Sequence, residues 1–434
     1  MSQVQDTARD YHIELCDDPT RIDAAAWNAL LAAQTAPTPL MRHEYLAALH
    51  ASRSAVEETG WAPRFVLLSR ARKAHDRAHG QTHGQTHGQT HGQTHDQAHD
   101  QAHDQAHDEL HAACPAYLKT HSRGEYVFDW AWADAYRRHG LRYYPKLLGA
   151  VPFTPVPGSR LLARDAAARQ ALVEALRRLA LDGALSSAHV LFVDEVEAAV
   201  FDAAGWMLRH GVQFHWQADA AAPVRDFPGL LATLQRAKRK KIQQERRRVA
   251  EQGIVFSVHV GEAIDEALWS FFHRCYSLTY RAHHGTPYLT RDFFARMAAT
   301  MAAHWVMFVA REGSVTGTPL AASLVALDPE RRTAYGRYWG ATCYVPCLHF
   351  EACYYQPLAW CLANGYRRFE GGAQGEHKMA RGLLPVRTTS AHWLRDARFA
   401  TAVQEFLARE GGAIEAYVDE LNEHNPFKAG APGG

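Results

Sequence analysis

The sequence predicts an α/β (α+β) chain built as two copies of one unit, and three observations carry that expectation. The 434 residues exceed what one ordinary core holds, so two domains are expected. Strand-like and helix-like runs recur in one order in each half: helices, a three-strand meander, a helix, a strand, a short helix and a last strand. Between the halves, ADAAAPVRDFPG, about residues 218–229, has the composition of a linker. The expected domains are therefore 1–217 and 230–434, with the second the candidate for chemistry.

In the first half YHIELC reads as a strand, and RIDAAAWNALL and LMRHEYLAALHAS read as helices. RFVLLSR (64–70) and CPAYLK (114–119) read as the strands of a hairpin, separated by a His-rich repeat over 73–112. There a histidine recurs every fourth residue from His75 to His111, with no large apolar residue before Leu110, so a disordered loop is expected. Imidazole suits nickel and zinc, but surface loops accept insertions cheaply, and a repeat expanded at a turn is the favoured reading. GEYVFDW reads as a strand, followed by YYPKLLGAVPFTPVPGSRLL and a helix from about Asp165 to Leu181. SAHVLFV, a short helix over 195–204 and the strand WMLRHGVQFHW close this half.

In the second half LLATLQRAKRKKIQQERRRVAEQG reads as one helix with Gly253 as its stop. The strand IVFSVHV, the helices DEALWSFFHRCYSLTYR and TRDFFARMAATMA, and the strands WVMFVAR, PLAASLVAL and TAYGRYWGA follow. A helix over His349–Asn364, kinked by Pro357, leads to YRRFEGG and a closing strand TSAHWL.

Lys plus Arg (47) nearly balance Asp plus Glu (46), so overall charge names no partner. The N-terminal residues lack the apolar core of a signal peptide, and no apolar run is long enough to span a bilayer, so a cytoplasmic protein is expected. Seven cysteines without a CxxC pair point to buried free thiols, with no metal centre expected.

Three stretches concentrate polar residues where chemistry needs them. Residues 236–248 hold eight Lys or Arg, and Lys238, Lys241 and Glu245 interrupt the apolar stripe of Phe227, Leu231, Leu234, Ile242 and Val249. A solvated basic face is the plain reading; the interruption favours a helix that meets phosphates or nucleic acid. In TAYGRYWGA, alternation puts Tyr335, Arg337 and Trp339 on one face and Gly336, Tyr338 and Gly340 on the other, with glycines marking a bulge or a ligand. After YRRFEGG, Glu376, His377, Lys378 and Arg381 fall within two turns: His or Glu suits a general base, and Lys or Arg suits an anion. The aromatic and Cys positions on the preceding helix read as core. GEYVFDWAWADAYRRHGLRYYPKL, with Glu125, Asp129 and Lys146, suits a pocket lining and a domain interface equally.

The basic helix, TYRAHHGTPYLTRDFF, GRYWG, HFEACYYQ and EGGAQGEHKMARG together resemble the Fem-type N-acyltransferases, closest to the FemAB-like branch of the GNAT (acyl-CoA N-acyltransferase) superfamily. The likeness covers nearly all of the chain outside the histidine tract. It implies tandem GNAT-like domains, each a mixed central sheet flanked by helices, and transfer of an acyl or aminoacyl group to an amine. The co-substrate implied is acyl-CoA or aminoacyl-tRNA, with no tightly bound cofactor; the acceptor is a small-molecule or peptide amine, with tRNA a candidate partner. Glu376 and His377 are the implied catalytic residues. Lys238, Lys241, Arg246, Gly336, Arg337, Tyr338, Trp339, Gln374, Lys378 and Arg381 are the implied donor- or substrate-binding residues. The acetyl-CoA pyrophosphate loop of ordinary GNAT enzymes, Gln/Arg-x-x-Gly-x-Gly/Ala, has no match ahead of a suitable helix. A tandem binding protein for a peptide or peptidoglycan precursor, and an RNA-binding protein, are the rival expectations.

Overall fold

Runs of Val, Ile, Leu and aromatic residues become strands because their branched or flat side chains pack well on a half-buried pleated surface. The computed structural model describes residues 11–70, 109–219, 223–282, 284–373 and 375–428. The first half supplies β1 (His12–Cys16), β2 (Trp61–Pro63), β3 (Phe65–Arg70), β4 (Glu109–Cys114), β5 (Ala116–Lys119), β6 (Lys146–Gly149), β7 (Leu162–Ala163), β8 (Ser187–Val193) and β9 (Met207–Gln217). The second half supplies β10 (Ile254–Val260), β11 (Trp305–Glu312), β12 (Pro319–Asp328), β13 (Thr333–Ala341), β14 (Arg368–Glu370) and β15 (Leu384–Leu394).

Among the described residues these form a four-stranded sheet, β1-β3-β4-β7, and an eleven-stranded mixed sheet, β10-β11-β12-β13-β14-β9-β15-β8-β6-β5-β2. The chain is α+β, as expected. Each half contains one short parallel pair joined through helix: β6 with β8, and β13 with β14. The last strand of each half lies beyond its own half's strands. β9 pairs with β14, β15 pairs with β8, and β9 and β15 run antiparallel beside each other over nine residue pairs. The sheet is thus continuous across the linker position. Helices of both halves share one core, in which Trp27, Tyr45 and Phe153 join Trp269, Phe293 and Met307.

Several expectations are corrected. GEYVFDW is not a strand: it is irregular until a helix begins at Trp130, because Asp129 and Glu125 turn inward to a buried lysine instead of alternating. The hairpin partner of β3 is β4; Pro115 breaks the run, and β5 joins the other sheet. The basic helix is two helices, Phe227–Thr233 and Arg236–Glu251, because Leu234 is extended and the Gln235 N–H donates to Pro426 O. The helix around Pro357 contains a π-helical turn, Glu351–Tyr355, directly before Gln356–Ala363. A final helix, Ala397–Glu423, lies outside the elements read from sequence. The histidine repeat over residues 71–108 lies outside the described residues.

Candidate active site

β13 and β14 pair in parallel only from Thr333–Tyr335 to Arg368–Glu370, and then part. Two local causes act together. Val325 pairs with Gly336 and Leu324 with Tyr338, so Arg337 is an extra residue that bulges β13 away. β14 meanwhile runs into Gly371 and Gly372, and Gly372 has a φ of +79°, which ends the extended chain. The bulge also overturns the expected alternation: Tyr338 now joins Tyr335 on the core face beneath the helix Glu266–Ala282, while Trp339 turns to His349.

The parting strands enclose a cavity of about 330 Å³. Gly336–Trp339 form one wall and Gly371–Ala373 the other, with His349, Cys353, Tyr354, His377 and Lys378 around it. Phe153 and Pro155 of the first half close the far side, and the Arg337 guanidinium donates to Phe153 O at 2.9 Å and Thr154 Oγ1 at 3.0 Å. The cleft therefore requires both halves. A π turn supplies Cys353 and Tyr354, a common placement for such turns at functional sites. Those positions had read as core, since a helical aromatic pattern carries no sign of a widened turn.

The predicted residues separate into those in the cleft and those behind it. His377 lines it, with Nε2 3.1 Å from Tyr354 Oη; burial, then Arg381 and Lys378, hold its pKa below the ordinary histidine value. His349 lines it too, and burial followed by His377 lowers it to about 4. Lys378 is buried with no carboxylate partner among the described residues, donating from Nζ to Gly372 O (2.8 Å) and Ala373 O (3.1 Å), and burial lowers its pKa to about 8.

Arg381 is not in the cleft. Its guanidinium is buried against Glu245, at 3.0 Å from each carboxylate oxygen, and lies 3.5 Å over the Phe350 ring. That pair explains the interrupted stripe on the basic helix: Glu245 is buried to hold Arg381 and to accept from Tyr355 Oη. Arg246 pairs with Glu351 at 3.1 Å and borders a separate groove of about 560 Å³ along the basic helix. Lys241 is exposed and Lys238 half-buried, and neither lines the cleft. Glu376 is exposed and accepts from Tyr417 Oη at 2.7 Å, away from the cavity. Gln374 lies outside the described residues.

Sequence reasoning missed Tyr126 and Phe153, which reach the cleft from the first half. No periodic signal marks them, because both sit in irregular chain with positive φ (63° and 57°). The corresponding opening in the first copy is filled. After Gly149 the chain leaves β6, runs buried through Val151–Val156, and returns to β8 through Gly158 N–H to Phe192 O at 3.0 Å. Among the described residues no group of three or more His, Cys, Asp or Glu could hold a metal, and no helix is long and apolar enough to cross a membrane.

Comparison with solved structures finds a conserved protein of unknown function from Bacteroides thetaiotaomicron (10% identity, TM-score 0.46, covering 88% of this chain and all of that one). It also finds L-PGS from Bacillus licheniformis (11%, 0.43, 69% and 85%) and a tandem GNAT protein from the clavulanic acid biosynthesis pathway (12%, 0.40, 88% and 98%). No curated protein matches. A family model described as FemAB-like, peptidoglycan biosynthesis/recognition, matches residues 18–429, nearly the whole chain. The chain belongs to the FemAB-like family.

Proposed function

We propose that this protein transfers an acyl or aminoacyl group from acyl-CoA or aminoacyl-tRNA to an amine, in the cleft of its second copy. The observation that carries the reading is the parting of β13 from β14, which among the described residues leaves Gly336–Trp339 without a strand partner on the β14 side, beside a cavity. Such N–H groups are preorganised donors for an oxyanion. The amine attacks the activated carbonyl, its C–N bond forms, and His377 takes the amine proton through its neutral ring. The tetrahedral oxyanion then collapses, its bond to the donor sulfur or oxygen breaks, and the proton held by His377 passes to the departing thiolate of CoA or ribose alkoxide of tRNA. Lys378 faces the same space as a cation below its lowered pKa and adds positive charge beside the oxyanion. The groove bordered by Arg246 and Arg247 suits donor phosphates.

Family membership supports this reading, and the filled opening of the first copy favours a single reaction centre. Thermal-shift titration of the full chain with CoA and with tRNA tests it. Stabilisation by CoA alone eliminates the tRNA donor, stabilisation by tRNA alone eliminates CoA, and stabilisation by neither overturns the transfer reading in favour of a binding protein.

A further inference from the structure

Tyr126, Phe153 and Arg337–Trp339 line both the cleft and a second, larger cavity of about 790 Å³. Its walls come from both halves and are rich in aromatic side chains, among them Trp61, Tyr276, Tyr280 and Tyr288. Among the described residues none that lines it is Asp or Glu. It carries two arginines without a carboxylate partner among the described residues. Arg123 is exposed at the rim and makes no ion pair there. Arg337 is anchored at the junction with the cleft through Nη2 alone, on neutral oxygens, the third being Tyr338 Oη at 2.8 Å; its Nε is buried with no partner. Behind Trp61, Lys119 is fully buried with Nζ 3.7 Å from the ring centroid, and burial lowers its pKa to about 7, so the cavity's lasting positive charge is that of the two arginines. Glu125 and Asp129, on the segment that carries Arg123 and Tyr126, are both held by Lys146.

Burying a guanidinium without a paired counter-ion is costly unless something anionic completes it, and an unpartnered N–H on such a group is a charge-assisted donor for a carboxylate or phosphate oxygen. The same excess positive charge repels a polycation. We propose that the larger cavity takes the amine acceptor and that this acceptor carries an anionic group, carboxylate or phosphate, received by Arg123 and Arg337. Polyamines and lysine-rich tails are excluded as acceptors. This inference rests on the acyl-transfer reading for the word acceptor, but not for the anion preference itself.

Trp61 and Trp339 line the cavity, so quenching of tryptophan fluorescence in the full chain reports its occupancy. Four probes separate the chemistries: glucosamine 6-phosphate and glutamate as anionic amines, glucosamine and spermidine as amines without an anion. The expected result is that at least one anionic amine binds about tenfold or more tighter than both others. In Arg123→Glu, whose site is exposed, the melting temperature stays unchanged and that preference is lost. Equal or tighter binding of glucosamine or spermidine, no binding of any probe at millimolar concentration, or a preference untouched by Arg123→Glu overturns the inference. Stabilisation by CoA or tRNA is read in parallel. Donor stabilisation without anion preference overturns this inference alone, whereas anion preference without donor stabilisation supports it and overturns the transfer reading.

Discussion

Glu245 lies among eight Lys or Arg over residues 236–248, and nothing in that local sequence names its partner. The partner is Arg381, far along the chain, and both are buried. Removing one member of a buried pair leaves an uncompensated charge, so Glu245→Ala is expected to cost about 3–5 kcal/mol by urea denaturation. Adding Arg381→Met should restore most of it; a loss below about 1 kcal/mol in the single variant would show the pair to be unimportant. His377 makes the residue-scale prediction about rate. Its lowered pKa keeps the ring neutral at and below the usual 6.5, so kcat/KM should hold through pH 6.5 and fall only at lower pH as the ring protonates. On the alkaline side Lys378 loses its proton through about pH 8, and kcat/KM should fall there. His377→Gln should remove the acid limb and lower the rate about tenfold to a hundredfold. An unchanged acid limb in that variant would assign the base elsewhere.

At the scale of elements, β13 decides the shape of the site. Gly340 is a strand glycine because a Cβ there would lie 2.2 Å from Cys275 O on the helix Glu266–Ala282. Gly340→Ala must push strand from helix, and we expect a loss of about 2–3 kcal/mol with a lower melting temperature. A melting temperature unchanged by this variant would mean that helix and strand separate freely. The sequence made this strand legible as glycine-broken and the loop after it as rich in Glu, His, Lys and Arg, and both border the cleft through His377, Lys378 and Gly336–Trp339. It did not reveal the bulge at Arg337, because a bulge is set by register against β12, which local alternation does not encode. Nor did it separate Arg381 and Glu376 from His377 and Lys378. All four lie within one 3₁₀ helix, and only the neighbours, Glu245 behind and Tyr417 outside, sort them.

At the scale of the molecule, the exchange of last strands ties the halves together. β9 is sandwiched between β14 and β15, and β15 between β9 and β8, so neither half keeps its sheet without the other. Calorimetry should show one cooperative unfolding transition for the whole chain, and residues 1–217 expressed alone should fail to give a cooperative melt. Two resolved transitions would show that the halves fold independently.

Local sequence determined most of the strands and helices, the helix stop at Gly253, and the stretches from which the cleft draws its second-half wall. These depend on side-chain periodicity and turn chemistry within a few residues, which a linear reading captures. Tertiary structure alone decided that the last strands change places, that Phe153 and Tyr126 wall the site, and that an acid-free cavity adjoins it. Those outcomes come from pairings between residues more than a hundred positions apart, and the free energy of such contacts appears only when the chain has closed on itself.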